Sequence, residues 1–259
     1  GGEMTSGALD DSMRHAITKL SVVHITSNEV HRNRVIQLGE NPDTVFNFGA
    51  IGLDLIKQSS FLSCDDFKKK LRVNWSEPIF VVTYHPATVG DENPEETFKS
   101  LLAALDYFPK YRIIMTYPNA DEGSHGLISL ANRYSSLQGN RVKLVKSMGS
   151  QLYFSALKNA SLVIGNSSSG MIEAPSVGLP TVNIGSRQQG RAAAYSVVNT
   201  GTSSPEIVDG IKAGLKLRTE LNFHSLQNPY GDGQTGVKII QLLKSRDFQF
   251  KKIFFDLNS

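Results

Sequence analysis

The sequence predicts an α/β protein built from parallel sheets. Apolar runs of strand length, such as "PIFVVTYHP" (78–86) and "SLVIGN" (161–166), recur along the chain and are separated by helical segments. Continuous apolar runs are typical of strands that are covered on both faces. Alternation of such strands with helices is typical of a wound parallel sheet.

The first 57 residues predict the order helix, strand, helix, strand. Met13, Ile17 and Leu20 recur at helical spacing in the first helix. Asp10 or Asp11 can cap that helix. These four elements are expected at residues 10–20, 22–28, 29–39 and 45–50. We therefore expect this stretch, residues 1–57, to be the C-terminal part of a first α/β domain.

A second domain is expected over residues 58–235, after a polar link that contains the amphipathic "CDDFKKKLRV". Its strands are predicted at 78–86, 111–118, 141–146, 161–166 and 180–185. Its helices are predicted near 95–105, 125–134, 152–159, 171–176 and 204–216. The remainder, 236–259, predicts a C-terminal helix and tail that pack back toward the first domain.

Composition excludes several classes of protein. Hydrophobic residues make up 40% of the 259 residues and charged residues 20%, as in an ordinary soluble protein. A net charge of +3 is too small to indicate nucleic-acid binding. The single cysteine, Cys64, fits a reducing compartment, and no apolar run is long enough to cross a bilayer. These features predict a cytoplasmic protein that binds neither nucleic acid nor membrane.

A run of small polar residues follows one buried strand, in "GNSSSG" at 165–170. Ligands bind beyond the carboxyl ends of strands in open α/β sheets, and small residues allow the backbone to approach an anion. The loop contains no lysine, so it is not a P-loop. Its candidate ligand-binding residues are Ser167, Ser168, Ser169 and Gly170. The alternative is an ordinary strand-to-helix turn rich in serine and glycine.

Two features near this loop favour a nucleotide. Glu173, one turn into the next helix, suits a ribose, whose hydroxyls need acceptors. Arg187 and Arg191, after the next strand, can neutralise a diphosphate through bidentate hydrogen bonds. Serines, carboxylate and guanidinium together describe a pocket for a nucleoside diphosphate.

Polar residues also follow the first two predicted strands of this domain. His85 comes at the end of "VVTYH" and is a candidate ligand contact or proton donor. A structural histidine is the alternative. Asn119 and Asp121 follow the next strand and can bond sugar hydroxyls, although a capped turn accounts for them nearly as well.

Several motifs resemble a known family. "GGEMTSGALDDSMRHAITKL", "RVIQLGE", "HPAT", "PNADEGS", "GNSSSGMIEAPSVGLPTVNIGSRQQGR" and "NPYGDG" are similar to the hydrolysing UDP-N-acetylglucosamine 2-epimerases of sialic-acid and related nonulosonate synthesis. The resemblance extends over essentially the whole chain.

The resemblance implies a glycosyltransferase-B-like fold, with two Rossmann-like domains and the ligand cleft between them. It implies elimination of UDP from a UDP-sugar, followed by hydration that releases the free 2-epimer. The chemistry needs neither a metal nor a nicotinamide cofactor. The family also suggests a homodimer.

The resemblance also implies roles for individual residues. Ser167, Ser168 and Glu173 would hold UDP, and Arg187 would lie near the uracil-ribose end or the phosphates. His85 would contact the diphosphate or assist departure of the leaving group.

The same resemblance implies a role for the first helix. Asp10 matches an acidic position implicated in proton transfer at the sugar. Arg14 would orient it from one turn along, since residues four apart share a helix face. Capping by Asp10 is the alternative.

Family members have further motifs before "GGE", and we expect this chain to be an inactive piece of a longer enzyme. Two alternatives stay open: a glycosyltransferase of the same architecture and a non-catalytic UDP-binding module. The sugar also stays open, between UDP-GlcNAc and a 4-acetamido-6-deoxy relative.

Overall fold

A computed structural model gives the fold, and it describes residues 1–3, 9–86, 92–118, 124–220, 227–248 and 251–256, with the backbone alone at 9–11. The chain divides into two compact units. The first unit comprises Gly1–Gln58, Gly190–Ala192 and Gln227–Ser259, and the second comprises Ser59–Gln189 and Ala193–Leu226.

Helices and strands alternate along most of the chain. The helices are α1 Leu9–Leu20, α2 Glu29–Gln37, α3 Gly52–Gln58, α4 Cys64–Leu71, α5 Pro94–Asp106, α6 Ser124–Gln138, α7 Gly149–Asn159, α8 Ser169–Ile172, α9 Ser204–Glu220 and α10 Thr235–Ser245. The strands are β1 His24–Thr26, β2 Val45–Asn47, β3 Ile79–Thr83, β4 Arg112–Thr116, β5 Val142–Val145, β6 Leu162–Gly165, β7 Thr181–Ile184 and β8 Val197–Thr200.

In the first unit, β1 and β2 form a parallel pair. Asn28 begins α2 as its N-cap, because its side chain accepts a hydrogen bond from the His31 N–H at 2.9 Å. Asp54, a residue of α3, caps α10 from a distant part of the chain, since its carboxylate accepts from the N–H groups of Thr235 (3.0 Å) and Gly236 (2.7 Å). The sequence analysis placed the end of the second domain at residue 235. In the structure the chain from Gln227 belongs to the first unit, and these bonds join it there.

The second unit is a parallel sheet in the order β5-β4-β3-β6-β7-β8. The central strands β3 and β6 are buried along their whole length, and the core includes side chains from α5 and α9. Strands β4 and β5 follow β3 on one side of it. The chain then crosses to the other side of β3, where β6, β7 and β8 are added in turn. The strand order therefore reverses between β3 and β6, which is where ligands bind in doubly wound sheets.

The predicted α/β class with parallel sheets is confirmed. Two elements were not predicted. Strand β8 is half-polar and only partly buried, and α3 is a short helix of seven residues, so neither has a strong apolar period. The helix predicted over 171–176 is split into α8 and a 3₁₀ turn at Ala174–Val177, because Pro175 cannot donate a helical hydrogen bond.

In the part of the chain that the structure describes, no helix combines the length and the apolar character that crossing a membrane requires.

Candidate functional site

The carboxyl ends of β3 and β6 lie side by side at the point where the strand order reverses. Thr83 pairs with Gly165 in the sheet register. Gly165 has φ +135°, and a Cβ added there would lie 1.9 Å from the Thr83 carbonyl oxygen. Only glycine fits this position, so the first residue of the "GNSSSG" loop is required for the close approach of the two strands.

Asn166 connects three strand ends. Its side-chain oxygen accepts from the His85 N–H at 2.7 Å, and its side-chain amide donates to the His85 carbonyl at 2.8 Å. Its own carbonyl accepts from Arg187 Nη1 (3.0 Å) and from Gln188 Nε2 (2.7 Å). Asn166 is 1% exposed, so these buried groups are paired with protein rather than with water. We call Asn166, with these partners, the amide hub.

The amide hub brings together two of the residues predicted from sequence, His85 and Arg187. His85 is 7% exposed, and its backbone is fixed on both sides by the Asn166 side chain. Arg187 is half-buried and donates to a neutral carbonyl. A guanidinium forms bidentate hydrogen bonds with phosphates and carboxylates, so its position after β7 suits an anion that binds beside the hub.

The serine loop is fixed on its other side by Tyr153. The Tyr153 and Ser169 hydroxyls are 2.6 Å apart, and the Ser169 N–H lies 3.4 Å from Ser167 Oγ. Burial raises the pKa of Tyr153 to about 12, and the Glu173 carboxylate adds to the rise. Tyr153 therefore stays a neutral donor or acceptor, and Glu173 lies near enough to affect it.

Gly170 and Thr181 set the distance between α8 and β7. Thr181 Oγ1 donates to the Gly170 carbonyl at 2.8 Å, and a Cβ at Gly170 would lie 2.6 Å from Thr181 Cγ2. Gly170 is thus a packing residue of the loop. Glu173 follows at the C-terminal end of α8, where its N–H donates to the Ser169 carbonyl at 2.9 Å.

Sequence reasoning did not identify Asn166, Gln188, Tyr153 or Glu92 as individual site residues. The Glu92 carboxylate accepts from the Ser186 N–H at 2.9 Å and so fixes the loop that precedes Arg187. Gln188 could have been identified from the sequence, because it lies between the two arginines of "SRQQGR". Tyr153 and Glu92 had none, since each is far along the chain from the residues it contacts.

The remaining predicted residues lie elsewhere. Asn119 and Asp121 fall outside the described residues. Asp10 lies in α1 of the first unit, but its side chain is also outside them. Because α1 begins at Leu9, Asp10 and Asp11 lie in the first turn of the helix and not before it, where a cap would stand. Arg14 lies one turn further along the same helix.

Arg191 does not share the hydrogen bonds of Arg187. Within the first unit it forms an ion pair with Glu3 at 2.5 Å. The rings of His31 and Tyr230, also in the first unit, pack edge to face with centroids 6.4 Å apart. Burial lowers the pKa of His31, although the Glu3 carboxylate opposes the shift. Arg191 therefore has a carboxylate partner in "GGE", and its role beside Arg187 at a diphosphate stays a prediction.

No group of three or more His, Cys, Asp or Glu side chains has a metal-binding arrangement in the ranges that the structure describes. Cys64 is an exposed free thiol. The charged and polar groups described at the end of β3 and β6 suit an organic anion bound by hydrogen bonds.

Comparison with known proteins matches residues 1–244 to the family described as UDP-N-acetylglucosamine 2-epimerase. A GDP/UDP-N,N'-diacetylbacillosamine 2-epimerase (hydrolyzing) of Campylobacter jejuni is 38% identical over 77% of this chain and 52% of its own length. A UDP-N,N'-diacetylbacillosamine 2-epimerase (hydrolyzing) of Legionella pneumophila is 33% identical over 95% of this chain and 63% of its own length. The chain thus spans between half and two thirds of these relatives.

Solved structures agree on the fold. The UDP complex of S. aureus MnaA superposes with a TM-score of 0.71 at 17% identity, over 93% of this chain and 65% of that one. The Neisseria meningitidis UDP-GlcNAc 2-epimerase bound to UDP-GlcNAc has a TM-score of 0.67 at 17% identity, over 95% and 68% of the two chains. At such identities the likeness concerns architecture alone.

Proposed function

The chain belongs to the UDP-N-acetylglucosamine 2-epimerase family, and on that premise we propose that its full-length protein is a hydrolysing UDP-sugar 2-epimerase. The observation that supports the proposal best is the amide hub. It lies where the strand order reverses, and it fixes His85 and Arg187 at one edge of the sheet. A nucleoside diphosphate is the ligand class whose charge and shape suit that edge.

We assign the nucleotide to the second unit. Arg187 would pair with the diphosphate, and the hydroxyls and backbone of Ser167 and Ser168 would bond the phosphates or ribose. Glu173 would accept from the ribose hydroxyls. His85 would contact the diphosphate and assist its departure as a hydrogen-bond donor. Asn119 and Asp121 would bond sugar hydroxyls.

The reaction then needs a base and an acid at the sugar. Removal of the C2 proton forms the C1–C2 double bond as the C1–O bond breaks, and UDP leaves with that electron pair. Water then adds its oxygen to C1 while a proton returns to the opposite face of C2, which gives the free 2-epimer. We propose that Asp10 exchanges the proton and that Arg14 orients its carboxylate.

The sugar is proposed from the relatives. Those at 38% and 33% identity both have N,N'-diacetylbacillosamine in their names. We therefore place a UDP-linked 2,4-diacetamido-6-deoxy sugar first and UDP-GlcNAc second. A homodimer and a cytoplasmic location are further proposals, which light scattering and cell fractionation test.

The test is turnover without an acceptor. Full-length protein is incubated in EDTA with each UDP-sugar, and the products are identified by mass spectrometry and NMR. We expect UDP and the free 2-epimer, because the chemistry needs neither a metal nor a sugar acceptor. Bound but unchanged UDP-sugar would indicate a binding module. Turnover that needs an added acceptor would indicate a glycosyltransferase.

A further inference from the structure

The C-terminal segment 251–256 is joined to the first unit through one lysine. The Lys252 ammonium donates to the Thr18 carbonyl at 2.7 Å and to the Ser21 carbonyl at 2.5 Å. It also pairs with Glu40 Oε2 at 2.7 Å. An ammonium has three N–H donors, so all three are used.

Two of these acceptors form the C-terminal end of α1. Carbonyl groups in the last turn of a helix have no partner within the helix, and the helix dipole places negative charge there. A lysine that binds those carbonyls both satisfies them and opposes the dipole. Lys252 is therefore a cap for α1 that comes from a distant part of the chain.

The third acceptor, Glu40, connects further elements to the same point. It is 2% exposed and accepts from Lys19 Nζ at 2.7 Å, while His24 Nε2 lies 2.9 Å from its other oxygen. We call Glu40, with Lys19, His24 and Lys252, the carboxylate hub. It joins the end of α1, the start of β1 and the C-terminal segment.

Apolar and backbone contacts also hold segment 251–256 against Gly39. The Phe255 N–H donates to the Gly39 carbonyl at 3.1 Å. The Phe254 ring lies so close to Gly39 that an added Cβ would be 2.4 Å from a ring carbon. Lys19 Nζ lies 4.9 Å from the centroid of the same ring, a cation–π contact.

The apolar face of α1, formed by Met13, Ile17 and Leu20, is 54%, 62% and 84% exposed in the part of the chain that the structure describes. The buried Thr18, which lies beside Gly1, and the polar bonds of Lys252 together hold the C-terminal end of the helix. Asp10 lies eight residues before Thr18, about 12 Å along the helix axis. Because a helix moves as a rigid element, a shift at that end is passed on to Asp10 and Arg14.

We propose that Lys252 is a positioning residue, which holds α1 so that Asp10 and Arg14 reach the reacting sugar. The proposal rests on the function proposed above. Lys252 touches no substrate in this account and acts through the helix. Loss of the ammonium should displace α1 without disturbing the nucleotide residues of the second unit.

The experiment compares full-length wild type with Lys252→Met and Lys252→Arg, and with Lys251→Met as the matched control. Lys251 is an exposed neighbour on the same segment. The measurements are kcat and KM, exchange of the sugar C2 proton with D₂O, UDP affinity by calorimetry, and peptide-resolved hydrogen–deuterium exchange over residues 12–20.

We expect Lys252→Met to lower kcat and C2 exchange together by about 10- to 100-fold, the cost of a misplacement of about 1 Å. UDP affinity should stay within about twofold, and α1 amides should exchange faster. Lys252→Arg, which keeps the charge and the donors, should recover most of the loss. Lys251→Met should match wild type.

Three results would overturn the proposal: unchanged kcat in Lys252→Met, unchanged exchange in α1, or a parallel loss of UDP affinity and kcat that indicates general unfolding. If Lys252→Met does not fold, Lys252→Gln keeps two N–H donors without the charge and gives the same comparison. A wild type inactive on every UDP-sugar would refute the proposed function instead, and the exchange of α1 would still test the positioning.

Discussion

In each unit of this protein a buried polar side chain joins several elements, but the two side chains differ in charge. Glu40 in the first unit is a carboxylate with two lysines and a histidine as partners. Asn166 in the second unit is a neutral amide bonded to backbone and to Arg187 and Gln188. The Glu40 carboxylate is ionisable, whereas the Asn166 amide is not.

The difference fits what each unit is proposed to do. A carboxylate at position 166 would place negative charge near a bound diphosphate and could not donate to the His85 carbonyl, whereas the amide donates there and carries no charge. In the first unit the buried charge attracts the lysine that caps α1. We therefore propose that the second unit binds the nucleotide and that the first transfers the proton at the sugar.

The largest expected effect separates these two roles. Asp10→Asn in full-length enzyme keeps size and removes the base, so kcat should fall by about 10²–10⁴. UDP affinity should not change, because the nucleotide residues are in the second unit. Asp11→Asn is the control for the neighbouring carboxylate. Near-normal turnover and C2 exchange in Asp10→Asn would show that another residue transfers the proton.

Glu40→Gln tests the carboxylate hub. Removing one partner of a buried ion pair typically costs about 3–5 kcal/mol, and we expect about 3 because Lys19 is partly exposed. The measurement is urea unfolding, with peptide-resolved hydrogen exchange to locate the loss in α1, β1 and α2. Asp43→Asn, an exposed carboxylate nearby, should cost little. A loss of stability that appears only in the second unit would contradict this assignment.

Asn166→Ala tests the amide hub. The backbone N–H and carbonyl of His85 both lose their partner, and one buried unsatisfied group costs about 1–3 kcal/mol, so we expect about 2 kcal/mol after relaxation. Urea unfolding of the second unit measures it. Asn159→Ala, which removes one partly buried side-chain bond to the Ser155 carbonyl, is the milder control. Equal effects of the two substitutions would mean that Asn166 is not a hub.

The pH dependence of stability between pH 7.5 and 5 is the smallest expected effect, and the buried His24 places it in the first unit. Burial lowers the pKa of His24 below its ordinary 6.5, although Glu40 opposes the shift. Burial alone would raise the pKa of Glu40, but hydrogen bonds from Lys19 and Lys252 outweigh it and hold that pKa below its ordinary 4.5. Both groups bind fewer protons when folded than when unfolded, so their stabilisation is present at high pH.

That stabilisation is lost below about pH 6.5 for His24 and below about pH 4.5 for Glu40. Hydrogen exchange corrected for its intrinsic rate should show the first unit weakening between pH 7.5 and 5. Peptides around Asn166 should keep their protection. An equal loss of protection in the first unit and around Asn166 would contradict the distinction between the two hubs. In Glu40→Gln, the loss of stability below about pH 4.5 should become smaller.

The sequence predicted what depends on local pattern. Buried strands such as β3 and β6 have continuous apolar runs, and the serine loop, His85 and Arg187 were identified because each follows a strand end. Asn166 was noticed only as part of a loop, because its partners lie 81 and 21 residues away along the chain. Lys252 had no signal at all, since its three acceptors come from elements that only the fold brings together.

The most direct test of the central claim is calorimetry of UDP binding to full-length protein. Losing a charged hydrogen bond costs about 1.5–3 kcal/mol, so Arg187→Ala and Glu173→Ala should each weaken binding by about ten- to a hundredfold. Arg133→Ala, an exposed arginine of α6 in the same unit, should bind like wild type. Unchanged affinity in both site variants would place the nucleotide away from the end of β6 and contradict the account.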